Sequence, residues 1–196
     1  QTLRDLVKNN LNYVRPYTLM LLHGSEMNTP EQREKWQFKT KFRILPKDFV
    51  KLSDGKKIIE TEEVVISTST LNFEEYIDLR LLAFIMFVTN IGLVYDPLTR
   101  FLRERNIDVF DLFYNTLKQK DSAPKEVSQI LEKFKQATIN ELWDSPEDIE
   151  KNYQNDVEFN KLLNGEDGIN VLQHYQAVLI FENLEEWTEY TLKIAE

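Results

Sequence analysis

Few stretches of this sequence bring together residue types that do chemistry. The first is His23-Gly24-Ser25-Glu26, an imidazole, a hydroxyl and a carboxylate around a glycine, directly after the apolar run Tyr17-Thr-Leu-Met-Leu-Leu22. These groups suit a polar ligand, and on the residues alone they also read as an ordinary strand-ending turn. Ser67-Thr-Ser-Thr70 offers hydroxyls to an anion ahead of a helix. Without a Gly-rich loop or a Lys beside them, they read as local capping groups. Glu74, Glu75 and Asp78 fall close enough on a helix for acid–base or metal work. Acidic residues are also what the dipole of a helix N-terminus favours. His174 stands alone in a helical stretch and reads as a surface or satisfied core residue.

The chain has no cysteine and two histidines, His23 and His174. It therefore makes no disulfide, thiolate-held iron–sulfur cluster, zinc ribbon or cysteine nucleophile. A carboxylate-held Mg²⁺ or Ca²⁺ site stays open. No nucleophile sits at motif spacing from a base, so the residues assign no catalytic group and no metal ligand. A net charge of −9, from 33 acidic and 24 basic residues, argues against nucleic acid as a partner. The basic stretch from Lys35 to Lys51, interleaved with Trp36, Phe38 and Phe42, reads as a solvated strand face. The longest apolar run, Leu81 to Val88, is far short of the roughly 20 residues of a membrane span. A polar N-terminus without a secretory signal, and the lack of cysteine, lead to the expectation of a cytoplasmic protein.

The elements that must position these groups fall into two parts. Residues 1–69 mix a helix over Thr2 to Leu11, a buried strand over Tyr17 to Leu22, a short helix begun by Thr29-Pro30, and strands around the turn Ser53-Asp54-Gly55. Residues 70–196 read as a helical bundle. Asn72 and Glu75 form a capping box ahead of a helix reaching about residue 90. Asp96-Pro97 and Ser145-Pro146 start others, and Ser122 is a candidate cap near Pro124. The patterns predict helices over 97–104, 106–119, 124–143, 146–163 and 169–194. In the last, Phe181, Leu184, Trp187, Thr188 and Leu192 make an apolar stripe. The fold class expected is mainly α with a small β part, that is α+β.

Leu19-Met-Leu-Leu-His-Gly-Ser-Glu-Met27, then Phe38-Lys-Thr-Lys-Phe-Arg-Ile-Leu-Pro46, then Glu62-Glu-Val-Val-Ile-Ser-Thr-Ser-Thr-Leu-Asn-Phe-Glu-Glu-Tyr76 form an ordered set. The set resembles the C-terminal region of cobalamin (B12)-binding radical SAM proteins, over residues 15–90. The resemblance implies that residues 1–69 are the end of a (β/α) barrel with a strand and hairpin segment, in a fragment of a larger enzyme. Gly24 would then lie at the barrel's C-terminal rim, where barrel enzymes place their sites. His23, Ser25 and Glu26 would be its substrate-binding residues. A [4Fe–4S] cluster, S-adenosylmethionine and cobalamin would belong to the parent protein, with none held by this chain. The partner would be the rest of that protein or a second copy of the chain. The alternative reading is a self-sufficient helical interaction or regulatory module without enzymatic activity.

Overall fold

The computed structural model describes residues 2–9, 14–91 and 94–196. It has the expected α+β class: one antiparallel hairpin and a majority of helices. The helices are α1 (Thr2–Lys8), α2 (Pro30–Trp36), α3 (Phe73–Met86), α4 (Asp96–Glu104), α5 (Val109–Lys118), α6 (Lys125–Asn140), α7 (Pro146–Tyr153), α8 (Asp156–Leu163), α9 (Val171–Glu182) and α10 (Leu184–Ala195). The strands are β1 (Lys39–Lys51) and β2 (Lys57–Ser67). The fold gathers into two compact units, one of residues 18–77 and 137–171, the other of residues 1–17, 78–136 and 172–196.

The first unit is built on the hairpin. Its turn is closed by Leu52 N–H donating to the Lys56 carbonyl at 2.8 Å, and by Lys56 N–H donating to the Asp54 carboxylate at 2.9 Å. Gly55 has φ +87, which glycine adopts without strain. An isolated two-stranded hairpin is marginal in water, and here both edges gain a partner. On β2, Leu21 N–H donates to Glu63 O at 3.0 Å and Val65 N–H donates to Leu19 O at 2.9 Å, with Met20 bridged to Val64. On β1, Phe42 and Trp143 exchange two bonds of 2.9 and 2.7 Å. Ile44, Ile149, Tyr153, Phe159 and Leu162 form the core under the hairpin, with Phe42, Phe49, Ile59 and Trp143 packed against it.

The segment expected as a buried strand is therefore only a bridge. Leu21 is buried, while Tyr17 is 76% exposed, Leu19 40% and Leu22 60%. The predicted helix over 146–163 is two helices, because the Asn155 side chain accepts from Val157 N–H at 2.8 Å and starts α8 afresh. Thr29 caps α2 and Ser145 caps α7 as the sequence indicated. Asn72 and Glu75 exchange two bonds of 2.9 Å in the predicted capping box.

In the second unit, α3 is buried on all sides from Leu81 to Val88 and continues into a π turn over Phe87–Ile91. Phe84 and Phe134 stack at 4.5 Å, and the Tyr190 hydroxyl donates to Thr116 O at 2.9 Å. Burial pushes the Tyr190 phenol up to about 12. Of the predicted first helix, residues 2–8 are helical, and Leu11 lies outside the described residues. Asp96 does not cap α4. It is the first helical residue, and its carboxylate pairs with Arg100 one turn on at 2.6 Å. Ser122 donates to Gln119 O at 2.8 Å, closing the turn before α6 instead of capping that helix. The predicted helix over 169–194 breaks at Asn183. Of the predicted stripe, Trp187 is buried and Leu184 and Thr188 are half-buried, while Phe181 is 86% exposed and Leu192 half exposed; Tyr190 and Thr191 join Trp187 in the core.

Two glycines between α8 and α9 separate backbone freedom from packing. Gly165 has φ +73 and open space on the side where a Cβ would stand. Gly168, at φ +61, would bring a Cβ to 2.9 Å from Leu162 Cδ2 and 3.0 Å from Phe49 Cε1. Gly165→Ala should cost about 1–2 kcal/mol for the left-handed backbone alone. Gly168→Ala should cost about 1–3 kcal/mol more through overpacking. Urea unfolding of both variants measures the difference, and equal midpoints would contradict this account of the packing.

Candidate functional site

The turn after Leu22 is built by short-range bonds and then fixed from outside. Ser25 N–H and its hydroxyl both donate to Leu22 O, at 3.1 and 2.8 Å, and Asn28 N–H donates to Ser25 O at 3.0 Å. The Asn28 side-chain amide donates to Leu21 O at 3.2 Å and to Leu22 O at 3.1 Å. Its Oδ1 accepts two bonds from Arg33, at 2.9 Å from Nε and 2.6 Å from Nη2. The other side of the guanidinium is bidentate to Glu63 on β2, at 2.9 and 2.6 Å. Hydrogen bonds from Arg33 hold the Glu63 carboxyl below the usual carboxylate range. Thr40 and the charge of His23 act in the same sense, and burial opposes them.

Of the three residues expected to bind substrate, His23 and Glu26 are exposed on this turn. Ser25 is half-buried, with its hydroxyl already donating to the backbone. Asn28, Arg33 and Glu63 were not singled out from the sequence. The Arg33–Glu63 link spans thirty residues, so no local spacing could have indicated it. The only local hint was Asn28 standing immediately before the Thr29-Pro30 helix start.

Several of the remaining candidates have structural roles, while Glu74 and Asp78 stand exposed on α3. Thr68 Oγ1 accepts from Thr70 N–H at 3.2 Å, and Ser67 donates to Leu71 O at 3.0 Å. Glu75 closes the capping box, and His174 packs edge-on against Tyr175 at 5.1 Å. Among the described residues, no group of three or more His, Cys, Asp or Glu side chains could hold a metal ion. An open groove of about 620 Å³ is lined by Trp143, Asp144, Asp148, Lys151, Asn155 and Glu158, among others. Its acids are engaged already: Asp144 by Lys41, Asp148 by Ser145 and Glu158 by Lys161.

The basic stretch is tied into ion pairs more than the expected solvated face would be. Arg43 lies largely buried between Glu62 at 2.5 Å and Glu141 at 3.1 Å. Lys51 and Lys57 share Asp156, each at 3.0 Å. The Lys57 side chain is only 5% exposed, lies over the Phe159 ring at 5.1 Å and donates to Gln154 O at 2.5 Å. The charges close the hairpin onto the segment that begins α8.

Two tests of these charges follow. Arg43→Met leaves two carboxylates facing each other with little solvent, which should cost about 3–5 kcal/mol near neutral pH. The cost comes from two like charges left close together without their shared cation. Urea unfolding at pH 7 and pH 4 measures stability, and a loss under about 1 kcal/mol for Arg43→Met at pH 7 would contradict the charge argument. Glu63 carries a pH dependence, its folded pKa being depressed. The stability it contributes is present above the unfolded carboxylate value of about 4.3 and lost as pH falls through the folded value. Wild type should therefore lead Glu63→Gln most at neutral pH, with the gap closing on the acid side in the same unfolding measurements.

No protein-family model matches this chain, and no curated protein matches it.

Proposed function

We propose that this chain is the C-terminal part of a cobalamin-dependent radical SAM enzyme, where it covers the barrel or shapes the substrate site without carrying the radical chemistry. The observation that supports this reading is the Tyr17–Leu22 segment. It pairs with β2 along one edge through Leu19 and Leu21, and no strand lies on its other edge among the described residues. Tyr17, Leu19 and Leu22 leave large apolar surfaces uncovered. The segment makes one antiparallel bridge to β2, and on this reading its open edge is where a preceding strand of the barrel would pair. The Gly24 turn then follows the segment at the rim, and His23 and Glu26 are available there to a polar substrate.

The residues present do not fit an iron–sulfur cluster, because the chain has no thiolate to offer. On this reading the cluster, S-adenosylmethionine and cobalamin are bound by the rest of the parent protein, which is also the chain's partner, and they supply the reactivity. The same uncovered edge favours a second reading, a non-enzymatic interaction module that accepts a strand from another protein by β-augmentation.

Reading the genomic DNA upstream of the codon for Gln1 separates the two. An in-frame extension with three closely spaced cysteines is the expected result. A stop codon and start site directly ahead of Gln1 would overturn the enzyme reading in favour of the interaction module.

A further inference from the structure

The bonds around Asn28 form an unbroken path from the sheet to the turn. Glu63 on β2 takes two bonds from Arg33, Arg33 gives two more to Asn28 Oδ1, and the Asn28 amide gives its own two to the carbonyls of Leu21 and Leu22. Asn28 uses both its amide hydrogens and accepts two bonds at Oδ1 in this path. The guanidinium turns its Nη1–Nη2 edge to the carboxylate and its adjoining Nε–Nη2 edge to the amide, a pattern that the ammonium of a lysine cannot reproduce. The amide is the only group in it that both accepts and donates, so it converts a charge on the sheet into a fixed position for two backbone carbonyls.

Ser25 already closes the turn locally by bonding to Leu22 O. The longer path is therefore not needed to make a turn. Its effect is to fix where the turn stands relative to β2, and the residues it holds flank His23 and Glu26, the two exposed polar side chains. We propose that Asn28, Arg33 and Glu63 are a latch of positioning residues that presents His23 and Glu26 in one fixed orientation for binding. The geometry of the latch stands by itself, and its service to an enzyme's substrate rests on the reading above. Holding polar groups in place through supporting hydrogen bonds is what binding sites require, since freedom in the free state is lost on binding.

The test uses this chain as it stands, with Asn28→Ala and Arg33→Lys compared with wild type. Backbone amide exchange over residues 22–28 should quicken about tenfold in both variants, the change expected from losing a charge-assisted hydrogen bond. Amides in the middle of β1 and β2 should keep their wild-type rates. The ring signals of His23 in an NMR spectrum should move in both variants, with the His174 ring as the unmoved reference. Unchanged exchange and unchanged His23 signals would overturn the latch. So would wild-type behaviour in Arg33→Lys, or equal quickening throughout the hairpin, which would make the network a general brace. None of these readouts needs the parent enzyme. A working latch together with a start codon just ahead of Gln1 would keep the latch and discard the radical-enzyme reading.

Discussion

A hairpin of two strands exposes two edges of unpaired N–H and C=O groups, and the hairpin-bearing unit is organised around satisfying them. Leu19 and Leu21 pair with β2, and Trp143 pairs with Phe42 on β1. Each contact is short, yet each brings in chain from far along the sequence. The segment before residue 23 carries the candidate site, and the segment around Trp143 leads into α7 and α8, which cover the face of the hairpin with Ile149, Phe159 and Leu162. Without the paired edges the core under Ile44 would have no roof, and the turn at Gly24 would have no anchor on β2.

Charge reinforces the same closure. Lysines and arginines alternate along β1 because every second residue faces away from the core. Lys41, Arg43 and Lys51 meet Asp144, Glu141 and Asp156, acids that lie a hundred residues on or nearly so. Exposed pairs of this kind contribute little each. Arg43 and Lys57 are different, being largely withdrawn from water: Arg43 ties β1 to Glu141 just after α6, and Lys57 ties β2 to the start of α8.

What the sequence made legible was local. The Asp54-Gly55 turn, the Thr29 and Ser145 caps and the Asn72–Glu75 box each need only residues within one turn of one another, and each is present. The breaks at Asn155 and Asn183 were missed because the apolar periodicity on either side is helical and runs on through them. Asp96 looked like a cap because Pro97 follows it, but an i,i+4 partner at Arg100 gave its carboxylate a different use. At the candidate site, the exposed residues were visible in the sequence as a cluster. The residues that hold them were not, because an arginine on one element and a glutamate on another carry no signal until the chain has folded.

Between Ile44 and Phe49 the ladder skips: Ile44 faces Thr61 and Phe49 faces Ile59, so four residues of β1 stand against one of β2. The extra residues include Pro46 and Lys47, whose φ is +67, and Lys47 N–H donates to Gly168 O at 3.2 Å. A ribbon of evenly alternating Lys, Thr and Glu could slide by two residues and keep its faces. This one cannot, because sliding would carry the proline into the paired ladder and pull Lys47 from its acceptor. The irregularity is thus the key that fits the hairpin to a single alignment, and through Glu63 that alignment decides where the turn carrying His23 and Glu26 stands.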